Sequence, residues 1–598
     1  KQQSPDILAA YARLWAAQQV LEVLCNGLGA SSSQASRGLI LIAACIPSIP
    51  MMIVAHSAHA VQLALNMPFI TNLEYWSFLW DVGGVSVLLG FWMPKRNAMG
   101  QGPHFDLRRA LVSEYANMLS VQYLIIWVAV ACWKTNTSFL DYRVSCASIL
   151  HMELMDTWCP SFVMSWLGGV EQMAQYVVRP APVLTVALEW LIPVLLIFPG
   201  PLRRTGLAFA LFFGLMISIL PKANNASHFS LECTLRYVLL LPEASAAALA
   251  EVWAVPGKTA ALLADRLGGV PPGVLPGSGV TALVFAVAAM LVWPWVMVRL
   301  NPLMDSLNAR FYLPSVLFLL VVLSRALMLE GRGQCRDSLA MLRAERPALV
   351  LPKWWRCTAW CTVLSLTVFY AFAGPILGLQ DVGSPHMYSN VAFHGGSNHL
   401  FLPTGILQAA FSRSDPADGN PFAGGVVRID HSNSSYFFPG EMTTLLPLDT
   451  RRHLQIAGHV GRQWGASSGP HPVDLENGFT PFTVPALDLR RLLATARAHQ
   501  EPFDLVYTKV PTRMWGPNDK DSEGVTEVHY EEGGKQEWRC YRLSAGDHAG
   551  VPCDSSDLVM LPPPGQSFLE LLALRFFAAR PYVVLPQDAP SREIPCYS

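Results

Sequence analysis

Charge is scarce in this 598-residue chain, with only 14% of its residues Asp, Glu, Lys or Arg. Soluble domains carry roughly 25%, so an ordinary soluble protein is excluded for the chain as a whole. An excess of either sign is also missing. The formal net charge is −1, which gives no electrostatic footprint for a nucleic acid, and none is expected as a partner. The 12 cysteines show no paired metal-ligand spacing, so no metal site is expected. Internal repeats, a phosphate-binding glycine loop and a dinucleotide fingerprint are absent too.

What the chain has in quantity is apolar surface: 52% hydrophobic residues and a mean hydropathy of +0.32. The apolar runs recur up to about Leu379 and then stop. That pattern predicts a polytopic α-helical membrane protein with eight to ten transmembrane helices and a C-terminal soluble α+β domain. The candidate spans are Leu8–Leu28, Gly38–His56, Tyr75–Met93, Leu111–Trp133, Val183–Phe198, Gly206–Leu220, Leu231–Leu241, Val280–Val298, Leu313–Leu329 and Thr358–Leu377. Leu8–Leu28 carries Arg13 and Glu22, which also suits an interfacial helix. Leu231–Leu241 is short and carries Glu232 and Arg236. The expected organisation is a first bundle over residues 1–243 and a linker rich in Ala, Pro and Gly over 244–278. Three further spans follow over 279–379, then a soluble domain over 380–598.

Basic loops orient such a bundle. Lys95, Arg96, Arg108 and Arg109 fill one loop and Arg203 and Arg204 a second. Arg332, Arg336, Arg343, Arg346, Lys353 and Arg356 fill a third. Counting spans places all three on one side, the cytoplasmic side or its equivalent, provided that Leu231–Leu241 crosses. The loop Lys134–Pro182 and the tail after Leu379 then lie on the opposite, lumenal or extracytoplasmic, side. Three Asn-x-Ser/Thr sequons, at Asn136, Asn225 and Asn433, fall on that side, Asn136 too near the bilayer for modification. Cys540, Cys553 and Cys596 lie in the tail, where an oxidising compartment would favour one disulfide among them. Cys357 and Cys361, four apart, share a helix face as small buried hydrophobes. In the tail, Val525–Tyr530 and Gln536–Leu543 alternate around Glu531-Glu532-Gly533-Gly534, which predicts a hairpin. Leu489–His499 and Ser567–Arg580 have helical spacing.

Ionisable residues inside apolar segments are the first candidates for chemistry, because burying them is costly without compensation. Lys134 ends the span Leu111–Trp133, where position alone suits a lysine reaching toward headgroups. Glu189 sits inside Val183–Phe198, four residues before Pro193, and should face the bundle interior in a structural role. Asp81, inside the third span, follows the same argument. Beyond the last span comes an irregular stretch, Met387-Tyr388-Ser389-Asn390 to Gly395-Gly396-Ser397-Asn398-His399. Its Asn390, Asn398 and His399 are candidates for satisfying loop backbone or facing a ligand.

Gln122–Asp141, with Gln122-Tyr123, Ala131, Lys134 and Phe139-Leu140, resembles a segment of the HTTM family, the horizontally transferred transmembrane domain related to vitamin K-dependent gamma-glutamyl carboxylase. Glu189-Trp190-Leu191-Ile192-Pro193-Val194-Leu195-Leu196, followed by Arg203-Arg204-Thr205-Gly206, is similar to a second segment of that family. The Met387–His399 stretch is similar to one in longer members. The resemblance covers about the first 240 residues and the membrane exit near Leu400. It implies a bundle in which a lysine, here Lys134, acts as base toward a reduced quinone such as vitamin K. A lysine has a reference pKa near ~10.4, so it acts so only where burial or a neighbouring cation lowers it. The family also supplies two histidines, and here their positions read Gly214 and Leu73; His228 lies nearby in sequence but does not match.

Those departures favour a divergent HTTM-type membrane protein that serves as a scaffold or partner-binding component, in contact with the bilayer and with other membrane proteins. The alternative is a quinone-dependent, carboxylase-like membrane enzyme with Lys134 as base. A transporter is disfavoured by the lack of an inverted repeat or of paired broken helices. The basic loops make a direct prediction: protease added to sealed, cytoplasm-side-out vesicles leaves residues 380–598 intact, and cleavage there would reverse the orientation.

Overall fold

The computed structural model describes residues 6–26, 31–67, 72–92, 107–142, 145–159, 161–166, 168–169, 172, 174–219, 226–252, 313–332 and 353–376. In the tail it describes residues 385, 389, 489, 493 and 576 and nine strands. The spans Val280–Val298 and the hairpin strand Val525–Tyr530 lie outside the described residues.

The described membrane-proximal chain is helical throughout. In order come α1 (Ile7–Asn26), α2 (Ser31–Cys45), α3 (Ile49–Asn66), α4 (Asn72–Leu88), α5 (Leu107–Lys134), α6 (Thr137–Leu140), α7 (Cys146–Trp158) and α8 (Ser161–Trp166). They are followed by α9 (Ala181–Ile197), α10 (Pro201–Ser218), α11 (Ala226–Leu240), α12 (Pro242–Val252), α13 (Leu313–Gly331) and α14 (Lys353–Val368). Among the described residues, three helical stretches are long and apolar enough to cross a membrane: Leu107–Lys134, Gln175–Ile197 and Trp354–Ala373. A fourth is the pair Phe229–Leu240 and Pro242–Val252, if its 111° bend lies within one span. The chain is therefore an integral membrane protein in contact with the bilayer. Over half of the apolar stretch of α5 is buried (56%), against 28% in each of the other two, which marks α5 as the central helix.

The bend bears on the short seventh span. Helix α11 has 15 residues, a rise of about 22 Å, less than a ~30 Å hydrocarbon core. Pro242, which cannot continue the preceding ladder, opens the second arm. So a broken helix is present, with no counterpart among the described residues.

The chain divides into two compact units. The first comprises Lys1–Leu65, Leu73–Val128 and Leu188–Thr367, and the second Asn66–Asn72, Ala129–Ala187 and Val368–Ser598. The first unit has an aromatic core in which Trp15, Trp76, Trp80, Tyr11 and Tyr123 are almost wholly buried. Polar links fasten its helices. Glu114 on α5 accepts from Arg356 Nε (2.6 Å) and Trp360 Nε1 (2.8 Å) on α14. Tyr123 Oη donates to the Cys233 carbonyl on α11 (3.2 Å). Exposed ion pairs, Arg108 with Asp6 (2.7 Å) and Arg325 with Glu251 (2.7 Å), add little. Helices α9 and α10 meet where Gly206 lies against the α9 backbone. A Cβ there would stand 3.0 Å from Leu195 Cβ, 3.1 Å from the Leu196 nitrogen and 3.3 Å from the Ile192 carbonyl. Pro193 sits inside α9 at this contact.

In the second unit the end of α5 is anchored by Trp133, whose indole donates to the Ala371 carbonyl (2.9 Å). Asn136 caps α6 by accepting from the Phe139 nitrogen (2.8 Å), while its amide donates to the Trp133 and Ser389 carbonyls (2.7 Å each). Phe139, Cys146, Ile149, Met152 and Val178 form a small core beneath α7. The tail carries a seven-stranded sheet of order β8-β7-β6-β5-β1-β4-β9, with every neighbouring pair antiparallel. Its strands are β1 (Val426–Ser432), β4 (Phe482–Pro485), β5 (Asp504–Val510), β6 (Arg539–Ser544), β7 (Ala549–Pro552), β8 (Val559–Met560) and β9 (Tyr582–Val583); β2 (Val473–Asp474) and β3 (Gly478–Phe479) pair separately. Ile429, Leu505 and Tyr507 are wholly buried. Within the alternating run Gln536–Leu543, residues 539–543 lie in the strand β6, whose neighbours are β5 and β7; the expected hairpin partner Val525–Tyr530 lies outside the described residues. Alternation reads which residues are extended, while the choice of partner depends on contacts across 30 residues or so of chain.

The α9–α10 contact predicts that Gly206→Ala lowers stability, by about 1–3 kcal/mol of overpacking against backbone that cannot swing aside, despite alanine's better helix propensity. Thermal unfolding of the purified protein in detergent measures it, and a raised midpoint would show that the two helices part freely.

Candidate functional site

Helix α3 carries His56 and His59 three residues apart, a spacing that puts both rings on one face. That face meets α4 at Asp81. The Asp81 carboxylate lies 2.7 Å from His56 Nδ1 through Oδ1 and 2.6 Å from His59 Nδ1 through Oδ2. An ionised carboxylate only accepts, so each ring donates through Nδ1, which leaves Nε2 of a neutral His56 as an acceptor. Asp81 and His56 are fully buried and His59 nearly so. Among the described residues, His56 Nε2 has no hydrogen-bond partner.

A second charged group enters from α11. Glu232 and Arg236, four apart on one helix face, form an ion pair through Oε2 and Nη1, and Gln18 on α1 donates to Glu232. Ser77 on α4 also donates to Glu232 (3.4 Å). The Arg236 guanidinium lies over the Trp80 ring, 4.5 Å from its centroid, a placement favoured by the ring's negative face. Trp15 stacks on His56 with ring centroids 4.6 Å apart. Tyr11 lies 6.1 Å from the same imidazole, and Tyr115 meets it edge-on at 5.9 Å. Five helices of the first unit, α1, α3, α4, α5 and α11, thus converge on a buried polar core walled by aromatics.

The sequence singled out Asp81 and described its setting as a carboxylate facing the bundle interior. It missed the two histidines that hold it. Their signal was present: two histidines at i and i+3 within an otherwise apolar helix. Glu232 and Arg236, read as blemishes on a weak span, are the i,i+4 pair that makes burial of that helix possible.

The other candidates lie elsewhere. Glu189 is buried (1% exposed) on α9. Lys134 belongs to the second unit. It is half-buried in the last turn of α5, where the carbonyl end of the helix favours a cation, and its Nζ stands 6.0 Å from the Phe139 ring centroid. Asn390, Asn398 and His399 lie outside the described residues; their neighbour Ser389 is buried. The positions aligned with the family's histidines are packing positions. Leu73 is 1% exposed. Gly214 is buried on α10 against α11, where its carbonyl accepts from the Ser218 (2.6 Å) and Ser230 (2.7 Å) hydroxyls. His228 stands on α11, and its side chain lies outside the described residues.

Comparison with known families matches residues 397–569 to a domain of unknown function (DUF8388). The match falls in the tail that carries the seven-stranded sheet. No curated protein and no solved structure matches the chain.

Removing one partner from a buried charge pair typically costs about 3–5 kcal/mol, because the other is left uncompensated. Asp81→Asn is expected to destabilise the bundle by an amount in that range, seen as a lowered unfolding midpoint in detergent. An unchanged midpoint would show that the His56–Asp81–His59 core contributes no net stability.

Proposed function

We propose that this chain is a divergent HTTM-type membrane protein of eight to ten spans that serves as a scaffold or partner-binding component of a membrane assembly, and that it is not an active carboxylase. The observation that carries the reading is the environment of Gly214. A Cβ at this position would stand 3.0 Å from Ser230 Oγ, and the Ser230 hydroxyl is bonded to the Gly214 carbonyl. Where the resemblance places an imidazole, two helices are in close contact through hydroxyls and backbone. A side chain of that size would separate α10 from α11. Leu73, at the other aligned position, supplies neither a donor nor an acceptor.

In this reading the bundle of residues 1–243 and the three spans within 279–379 hold a soluble, non-cytoplasmic domain over 380–598. One feature supports that sidedness. Cys146, in the loop Lys134–Pro182, is disulfide-bonded, which suits an oxidising compartment. The sequon at Asn136 is spent on structure, with its amide donating to two carbonyls and its oxygen capping α6, so a glycan there is excluded by the fold.

The competing reading is a quinone-dependent enzyme with Lys134 as base. Loss of one pre-organised donor typically costs about 2.7–4 kcal/mol in the transition state, and two are replaced here. Purified protein given reduced vitamin K, labelled CO2 and a glutamate-containing peptide is expected to incorporate no label. Robust incorporation that disappears in Lys134→Ala would overturn the scaffold reading and install the enzyme.

A further inference from the structure

Arg236 uses one edge of its guanidinium and leaves the other unused. Nη1 is paired with Glu232, whereas Nε and Nη2 have no hydrogen-bond partner among the described residues. Those two N–H groups form the side-on fork that matches the two oxygens of a carboxylate. The residue is fully buried, so water at the protein surface does not satisfy the fork. Other donors in the same core share the condition. Tyr11 Oη, Trp15 Nε1 and Trp80 Nε1 are buried and unpartnered among the described residues. Tyr11 and Trp15 stack against each other at 5.9 Å and Trp15 against His56 at 4.6 Å, while Trp80 lies under Arg236. A buried donor left unmade costs about 1–3 kcal/mol. Around the arginine fork, unmet donors outnumber the unmet acceptor His56 Nε2 among the described residues.

We propose that the fork of Arg236, with Tyr11 beside the same buried core, is a binding site for the carboxylate group of a small organic acid. Charge balance limits the ligand. Asp81 and Glu232 already set two carboxylates near the single Arg236 guanidinium, so the room for added negative charge is small. The core takes one monoanion, and a phosphate dianion is excluded. Trp80 against the guanidinium face further suits a planar head lying in the plane of the fork. Two sources supply this chemistry: an acyl chain entering from the bilayer, or a short water-soluble acid. The site goes beyond the scaffold reading and makes the bundle a ligand-responsive module. It is distinct from the Lys134 chemistry, which belongs to the other unit.

The test uses the full chain in lipid nanodiscs, with equilibrium binding of radiolabelled palmitate and radiolabelled acetate measured separately. One of the two is expected to bind saturably at one site per chain; palmitate would assign the bilayer as the source and acetate the aqueous phase. Arg236→Lys keeps a cation for Glu232 but removes the fork, and it should weaken binding at least about tenfold. Tyr11→Phe keeps the ring stack and removes only the hydroxyl, and a several-fold loss is expected. It also serves as the folded control should Arg236→Lys not accumulate. Saturable binding lost in either variant, with the unfolding midpoint retained, supports the site. Failure of both acids to bind, or binding unaltered by both substitutions, overturns it.

Discussion

The cost of holding charge inside an apolar bundle governs how the first unit is put together. A carboxylate or guanidinium taken out of water loses several kcal/mol, and only well-placed partners return it. Asp81 is answered by two imidazoles from α3, and Glu232 by Arg236, Gln18 and Ser77. Because these partners come from four helices, each helix must arrive in one register for any of the charges to be compensated. An apolar interface tolerates sliding and repacking, whereas this one does not. The polar core therefore specifies the arrangement of α1, α3, α4 and α11 more than it adds to their adhesion, while aromatic packing of Trp15, Trp76 and Trp80 supplies the bulk of the buried area.

The central helix shows the same logic from another side. Helix α5 is the most enclosed of the three long apolar helices, and its polar residues serve as cross-links. Gln122 donates to the Leu79 carbonyl on α4 (3.0 Å) and to Thr367 on α14 (3.3 Å). Tyr115 donates to the Trp80 carbonyl (3.1 Å), which ties α5 to the helix that carries Asp81. Gln122 and Tyr123 were first noticed for their resemblance to a family motif. Their contacts explain that pattern without catalysis: a glutamine and a tyrosine at adjacent positions on a buried helix reach two different neighbours.

Legibility in the sequence followed the range of the interaction. Helices were readable where their apolar content is local. But Gly38–His56, drawn as one span, is the end of α2 and the start of α3, parted at Pro47, and α7 and α8 lie in the loop Lys134–Pro182, where none was drawn. The number that truly cross the membrane depends on tilt and breaks, and the 111° turn after Leu240 shows why: the shortness of Leu231–Leu241 was visible, but not the second arm that Pro242 opens nor its direction. At the site, Asp81 was legible as a charge in the wrong place. His56 and His59 were not connected to it, since 25 and 22 residues separate them from Asp81 and nothing local records a contact between helices. The strand β6 was readable from the alternation within Gln536–Leu543, but its pairing with β5 leaves no local signal.

A bundle that compensates every internal charge with its own side chains gains rigidity and loses function, since no group is left to meet a ligand. This core stops short of that condition. Glu232 collects several donors, but Arg236 retains a whole edge, and His56 retains Nε2. Had the arginine been needed only to neutralise Glu232, lysine would serve with fewer donors to satisfy. Arginine adds a planar fork, and in a core walled by Trp15, Trp80 and Tyr11 that fork is the most expensive group to leave unmatched. The retention of such a group in the interior is a cost to folding, and a cost of that kind is coherent where the same atoms are used for recognition.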